Sequence, residues 1–128
     1  MTEVLFKCVI PGRPMSLKNG KRIFINKASG KRFPASTNKY KTWAMIVYYK
    51  MLQAKKGPLI KEPINVSMKF YFKNHAHEMD LSNCYQAFED ILQKACVIEN
   101  DKQIYGHDNS RKIFNDPNER VEIEITSL

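Results

Sequence analysis

The stretch DLSNCYQAFEDILQKACVIENDKQI, residues 80–104, is read in two parts. Cys84, Phe88, Ile91, Leu92 and Ala95 recur at helical spacing and form one apolar stripe. Asp80 or Ser82 is suited to cap that helix, because a short side-chain oxygen there accepts a free backbone N–H of the first turn. The following CVIENDKQIYG predicts a returning strand. The stretch also gathers Asp80, Glu89, Asp90, Glu99 and Asp101 in a chain whose net charge is +8. Either they face solvent along a helix, or some of them hold a cation.

The flanking sequence supplies the other elements. EVLFKCVIPG alternates, with Val4, Phe6, Cys8 and Ile10 on one face, and predicts a strand ending at Pro11-Gly12. Residues 13–36 are loop-like, with glycine-centred turns on either side of IFI, and predict a basic hairpin. STNKYKTWAMIVYYKMLQAKK predicts a helix on the spacing of Tyr40, Trp43, Ala44, Val47 and Met51, capped by Ser36 or Thr37 and ended by Gly57-Pro58. PINVSMKFYFKN and ERVEIEITSL alternate as strands, with Ile64, Val66, Met68, Phe70 and Phe72 inward in one and Val121, Ile123 and Ile125 inward in the other. The order β, basic hairpin, α, β, α, β, β predicts a single α/β (α+β) domain over 1–128, a mixed sheet with two main helices.

Composition excludes several classes. No apolar run approaches the roughly 20 residues that span a bilayer, and MTEVLFKCVIPG lacks the pattern of a secretory leader. Cys8, Cys84 and Cys96 are odd in number and share no CxxC spacing, which speaks against a disulfide framework or a zinc knuckle and fits a reducing cytoplasm. Cys8 and Cys84 sit at apolar-patterned positions and are expected in the core. No P-loop, dinucleotide fingerprint or nucleophilic triad is present.

Charge is divided along the chain. Residues 1–61 hold 14 Lys and Arg against one acid, and residues 62–128 hold 7 against 12, so +13 and −5 sum to +8. A basic half suits a polyanion held through its phosphates. Lys18, Lys21, Arg22, Lys27, Lys31 and Arg32 fall within 15 residues without an acid, interleaved with Phe24 and Phe33. An acidic half repels the same polyanion unless its carboxylates turn away or are compensated. Asp80 before the helix and Asp101 after it are carboxylates from separate elements, the kind of hard oxygen donors that Mg²⁺ or Mn²⁺ takes. Glu78, two residues before Asp80 in an extended segment, points the same way. Geometry sets a limit, however. A helix over 82–95 is about 20 Å long, while a strand over 97–101 recovers only about 13 Å. Asp101 therefore stops short of Asp80 unless the helix starts late, the strand crosses obliquely or another subunit contributes. His75 and His77 form an HxH without a third soft ligand at an obvious spacing, so loop histidines are expected rather than a zinc or manganese site.

The order of residues in MDLSNCYQAFEDILQKACVIENDKQI resembles the RusA family of Holliday junction resolvases. The residues that match its pattern are Asp80, Asn83, Asp90-Ile91, and Asp101 with Gln103-Ile104. PGRPMSLKNGKR, FPASTNKYKTW and the closing ERVEIEI resemble the family as well. The resemblance implies a small Mg²⁺-dependent homodimeric endonuclease, with Mn²⁺ as the alternative ion, that cuts four-way branched DNA by symmetric nicking. It further implies a cytoplasmic protein, bacterial or phage-encoded, with no membrane partner. Asp80 and Asp101 match the family's metal-binding aspartates. Ser82, Gln86 and Asn100 stand where the family carries Asp, Lys and Asp. The expected metal set is thus Asp80 and Asp101 with Glu78, Ser82 and Asn100, with Asn83 and Asp90 behind it. Arg13, the six cations of the hairpin region, Arg111 and Lys112 are expected at DNA. The alternative is a non-catalytic junction-binding protein with a degenerate metal site. A third reading is a single-strand or RNA-binding module that stacks bases on Phe24, Phe33 and Tyr40.

Overall fold

The computed structural model describes residues 2–15, 21–25 and 28–128, with 21–25 and 32–36 described as backbone. Of the residues expected at DNA, Lys18 and Lys27 lie outside the described residues. The domain is α+β. A five-stranded mixed sheet runs β1 (Val4–Pro11), β7 (Arg120–Ser127), β4 (Ile64–Tyr71), β5 (Ile104–Gly106), with β6 (Arg111–Ile113) also beside β4. β7 is antiparallel to both β1 and β4, whereas β5 and β6 are parallel to β4. β2 (Lys21–Ile25) and β3 (Arg32–Ser36) form a separate antiparallel hairpin in which Phe24 is the register partner of Phe33.

Alternation explains the core. Phe6, Cys8 and Ile10 of β1, Val66, Met68 and Phe70 of β4, and Val121, Ile123 and Ile125 of β7 are all buried, as period-2 patterning requires of the covered face of a sheet. Helix α1 (Asn38–Ala54) turns Val47 and Met51 inward, and α2 (Leu81–Lys94) turns Cys84, Ala87, Phe88, Ile91 and Leu92 inward. Trp43 meets Phe88 edge to face at 5.4 Å, which joins the two helices. Thr37 caps α1 by accepting Tyr40 N–H at 3.1 Å. The sheet's other face is open and polar, lined by Lys7, Ser67, Lys69, Tyr71, Glu122 and Glu124. Among the described residues no helix is long and apolar enough to cross a membrane.

Two expectations need correction. CVIENDKQIYG is not one strand. Cys96 leaves α2 at φ 56°, Val97 N–H bonds back to Leu92 O, and Ile98 only bridges Ile60. A 3-10 turn over Asp101–Gln103 follows, and only Ile104–Gly106 is strand. The run Glu-Asn-Asp-Lys has no alternating apolar residues to hold it on a sheet, and Asn100 instead caps a turn. Asp101 therefore opens a turn rather than lying on a strand. The second correction is β6, which the sequence did not suggest. Three residues with one β-branched member carry too little pattern to be seen alone.

Candidate active site

Glu78, Asp80 and Lys112 meet where β4 ends and α2 begins. Asp80 is the N-cap of α2, and its Oδ1 accepts Ser82 N–H at 2.9 Å and the Ser82 hydroxyl. The Ser82 hydroxyl, the backbone N–H groups of Ser82 and Asn83, and the charge of Lys112 all hold the Asp80 carboxyl below the usual carboxylate range. Glu78 ends the 3-10 turn over His75–His77 and accepts Lys112 Nζ at 2.9 Å. That bond, with the charges of Lys112 and His75 behind it, pulls the Glu78 carboxyl down as well. Lys112 comes from β6, where it pairs with Phe70. Both carboxylates are thus ionised at neutral pH, with the Lys112 ammonium bonded to Glu78 and its charge felt at Asp80.

The neighbouring histidines are accounted for. His77 pairs with Glu119 at 2.8 Å, and His75 stacks on Phe114 at 3.9 Å between ring centroids. The HxH is therefore split between two partners. His107 Nε2 bonds Glu89 at 2.6 Å, and its ring lies flat on Tyr85 at 4.3 Å. This pair was not anticipated, because its members are 18 residues apart and no local spacing links them.

A family model for endodeoxyribonuclease RusA matches residues 11–126 of the 128. The chain belongs to the RusA family. It is accordingly an endodeoxyribonuclease, of the kind that resolves Holliday junctions. None of the curated proteins compared matches the chain.

The remaining site residues of this RusA-family chain are dispersed. Asp101 is exposed at the opposite end of α2 from Asp80. The 14-residue α2 between them is about 21 Å long at ~1.5 Å per residue. β4 provides a second ruler. Gln103 bonds the carbonyls of Ile60 and Glu62 ahead of β4, and Ile104 pairs with Ile64, while Lys112 pairs with Phe70. Those registers are six strand steps apart, from Ile64 to Phe70, again about 20 Å. Asn100 spends its side chain as a cap, accepting Lys102 N–H at 2.8 Å, while Gln103 Oε1 accepts the N–H groups of Glu99 and Asn100. Asp90 is ion-paired with Lys94 at 2.9 Å. Asn83 lies in the first turn of α2, behind Asp80.

The donors fit a hard divalent ion in kind but not in number within one chain. Among the described residues no group of three or more His, Cys, Asp or Glu is placed to hold a metal. Of the expected DNA contacts, Arg13, Lys31 and Arg111 are exposed. Lys21, Arg22 and Arg32 are placed on the hairpin strands by their backbone.

Proposed function

We propose that the chain works as a homodimeric Holliday junction resolvase that nicks opposing strands of four-way DNA symmetrically and depends on Mg²⁺, with Mn²⁺ able to replace it. The observation that carries this reading is the ionised Asp80–Glu78 pair at the N-terminus of α2, with its partner carboxylate Asp101 about 20 Å away at the other end of the helix. A second copy, related by a two-fold axis, can present its Asp101 to the first copy's Asp80, and the same operation completes the other centre. Two centres related by one two-fold axis match two cuts on opposed strands. Asp80, Glu78 and the second copy's Asp101 would hold the ion, whose chemistry when bound is to polarise a phosphoryl oxygen and lower the pKa of a water. Asp80 reaches this arrangement ionised, because Ser82 and the helix N-terminus stabilise its charge. Lys112, bonded to Glu78 at 2.9 Å, would offer its ammonium to a phosphate oxygen beside the ion. The basic residues of the first half grip the DNA arms.

A labelled four-way junction incubated with Mg²⁺, Mn²⁺ or EDTA tests the reading. Paired symmetric nicks that need the ion and disappear in Asp80→Asn are expected. Junction binding without nicks under either metal would replace it with the junction-holding alternative.

A further inference from the structure

A groove of about 800 Å³ runs beside the Glu78–Asp80 segment, between the N-terminal half of α1 and the chain after β1. Met15, Trp43, Ile46 and Met79 form its walls, and Arg13 and Lys39 stand at its edges. Trp43 is held in a fixed orientation by Phe88 at 5.4 Å and Tyr40 at 5.7 Å. Ile46, on an exposed side of α1, is left about half accessible. Apolar walls with a few polar groups, at a volume between about 300 and 1,000 Å³, describe a pocket for a small organic group rather than a bare surface.

We propose that this groove accepts one nucleobase drawn out of its pair at the crossing of the branched substrate, next to the phosphate that is cut. The proposal rests on the nuclease reading above and adds how the branch is recognised. Ring, thioether and aliphatic walls suit the face of a planar base. A phosphate is disfavoured inside, because its charge would be desolvated against Met15, Trp43, Ile46 and Met79, whereas Arg13 and Lys39, which also line the groove, can take the backbone phosphates that flank the base. A base paired within duplex shows only its edges, and extracting it costs a few kcal/mol, least where pairing is already broken. Bases at the crossing of four arms remain paired, but the strands exchange there and the stack is interrupted, so opening a pair costs less than within continuous duplex. Preference for the branch then follows from an extraction cost that is lower at the crossing than in duplex.

Trp43 is the chain's one tryptophan, so its emission reports on this groove. The full-length protein in Ca²⁺ would be titrated with an unlabelled four-way junction and with a matched linear duplex, with binding followed in parallel by gel shift. The junction is expected to quench Trp43 and the duplex to leave it unchanged. Thr42→Tyr, at an exposed position of α1 on the groove, fills the space without touching the core. It is expected to remove the quench and to narrow the junction-over-duplex affinity ratio on the order of tenfold. Tight junction binding with unchanged Trp43 emission, or a Thr42→Tyr protein with an undiminished ratio, overturns the inference and leaves the nuclease reading intact. Failure to bind junctions at all overturns both. Quenching in Ca²⁺ by a junction that is not nicked in Mg²⁺ or Mn²⁺ supports the groove and counts against catalysis.

Discussion

Asp80 serves two purposes with one carboxylate. As N-cap it satisfies N–H groups that the helix cannot bond itself, and those same bonds keep it ionised. Lys112 is the cation that Glu78 and Asp80 share. Lys112→Ala is expected to raise the pKa of Glu78 most, since the bond to Lys112 is the largest cause of its depression, and that of Asp80 less, since Ser82 dominates there. Carboxylate NMR titrations of the two proteins would show it, and a Glu78 curve that does not move would refute the assignment. The sign for stability follows. Both groups have depressed folded pKa values, so their contribution is present above the unfolded carboxylate range of about 4 and is lost as pH falls through the lower folded values. Denaturation midpoints should accordingly decline on the acid side, and less steeply in Lys112→Ala. Tyr40 behaves in the opposite way. Burial, with Asp90 adding to it, pushes its phenol up to about 12, and its hydroxyl is buried with no hydrogen-bond partner. Tyr40→Phe removes an unsatisfied donor from the core at nearly constant shape and should stabilise the fold by about 1 kcal/mol, read as a higher urea midpoint with unchanged slope.

At the scale of elements, Gln103 is the residue that closes the turn after α2. Its Oε1 accepts Glu99 and Asn100 N–H, and its Nε2 donates to the carbonyls of Ile60 and Glu62, both at 2.9 Å. It thereby ties the turn carrying Asp101 to the segment that leads into β4. Gln103→Ala should cost roughly 1–2 kcal/mol, because four backbone groups lose their partner together but only the Ile60 carbonyl is partly buried and the others are taken up by water. Amide hydrogen exchange should accelerate first in residues 98–104, and exchange that rises uniformly over the chain would argue against a local staple. The Asp-x-Gln spacing thus has a structural part. β5 and β6 share the edge of β4 in the same manner. β5 takes its beginning and β6 its end, and the loop between them is held by Asn65 to Asp108 and by Ser110 to Met68 N–H. That division brings Lys112 to Asp80 while leaving Asp101 at the far end.

At the scale of the whole molecule, the proposal of a site shared between two copies makes a definite statement about mixtures. Asp80→Asn and Asp101→Asn are each expected to be inactive as homodimers. In a mixed dimer one centre carries both substitutions, and the other carries Asp80 from one copy and Asp101 from the other, both intact. Mixing the two inactive proteins should therefore restore nicking at one strand per junction, visible as single nicks on a denaturing gel. A centre built within one chain predicts no recovery at any mixing ratio.

Local pattern determined a large part of this protein. Period-2 alternation in EVLFKCVI, INVSMKF and ERVEIEI, and helical spacing through Val47 and Met51 and through Cys84 to Leu92, specified the strands, the helices and nearly all of the core, because burial of one face is a property of consecutive residues. The order of residues from Asp80 to Ile104 was sufficient to indicate the family. What the tertiary structure alone decided involves residues brought together from distant positions. Examples are the seat of Lys112 against Glu78, 34 residues away, the His107–Glu89 pair, and the groove between α1 and the segment before Asp80. It also decided that CVIENDKQI is mostly turn and that Asp80 and Asp101 lie at opposite ends of α2. Short polar runs carry no periodicity to read, and the distance between two side chains depends on how a helix and a strand cross, which no spacing along the chain encodes.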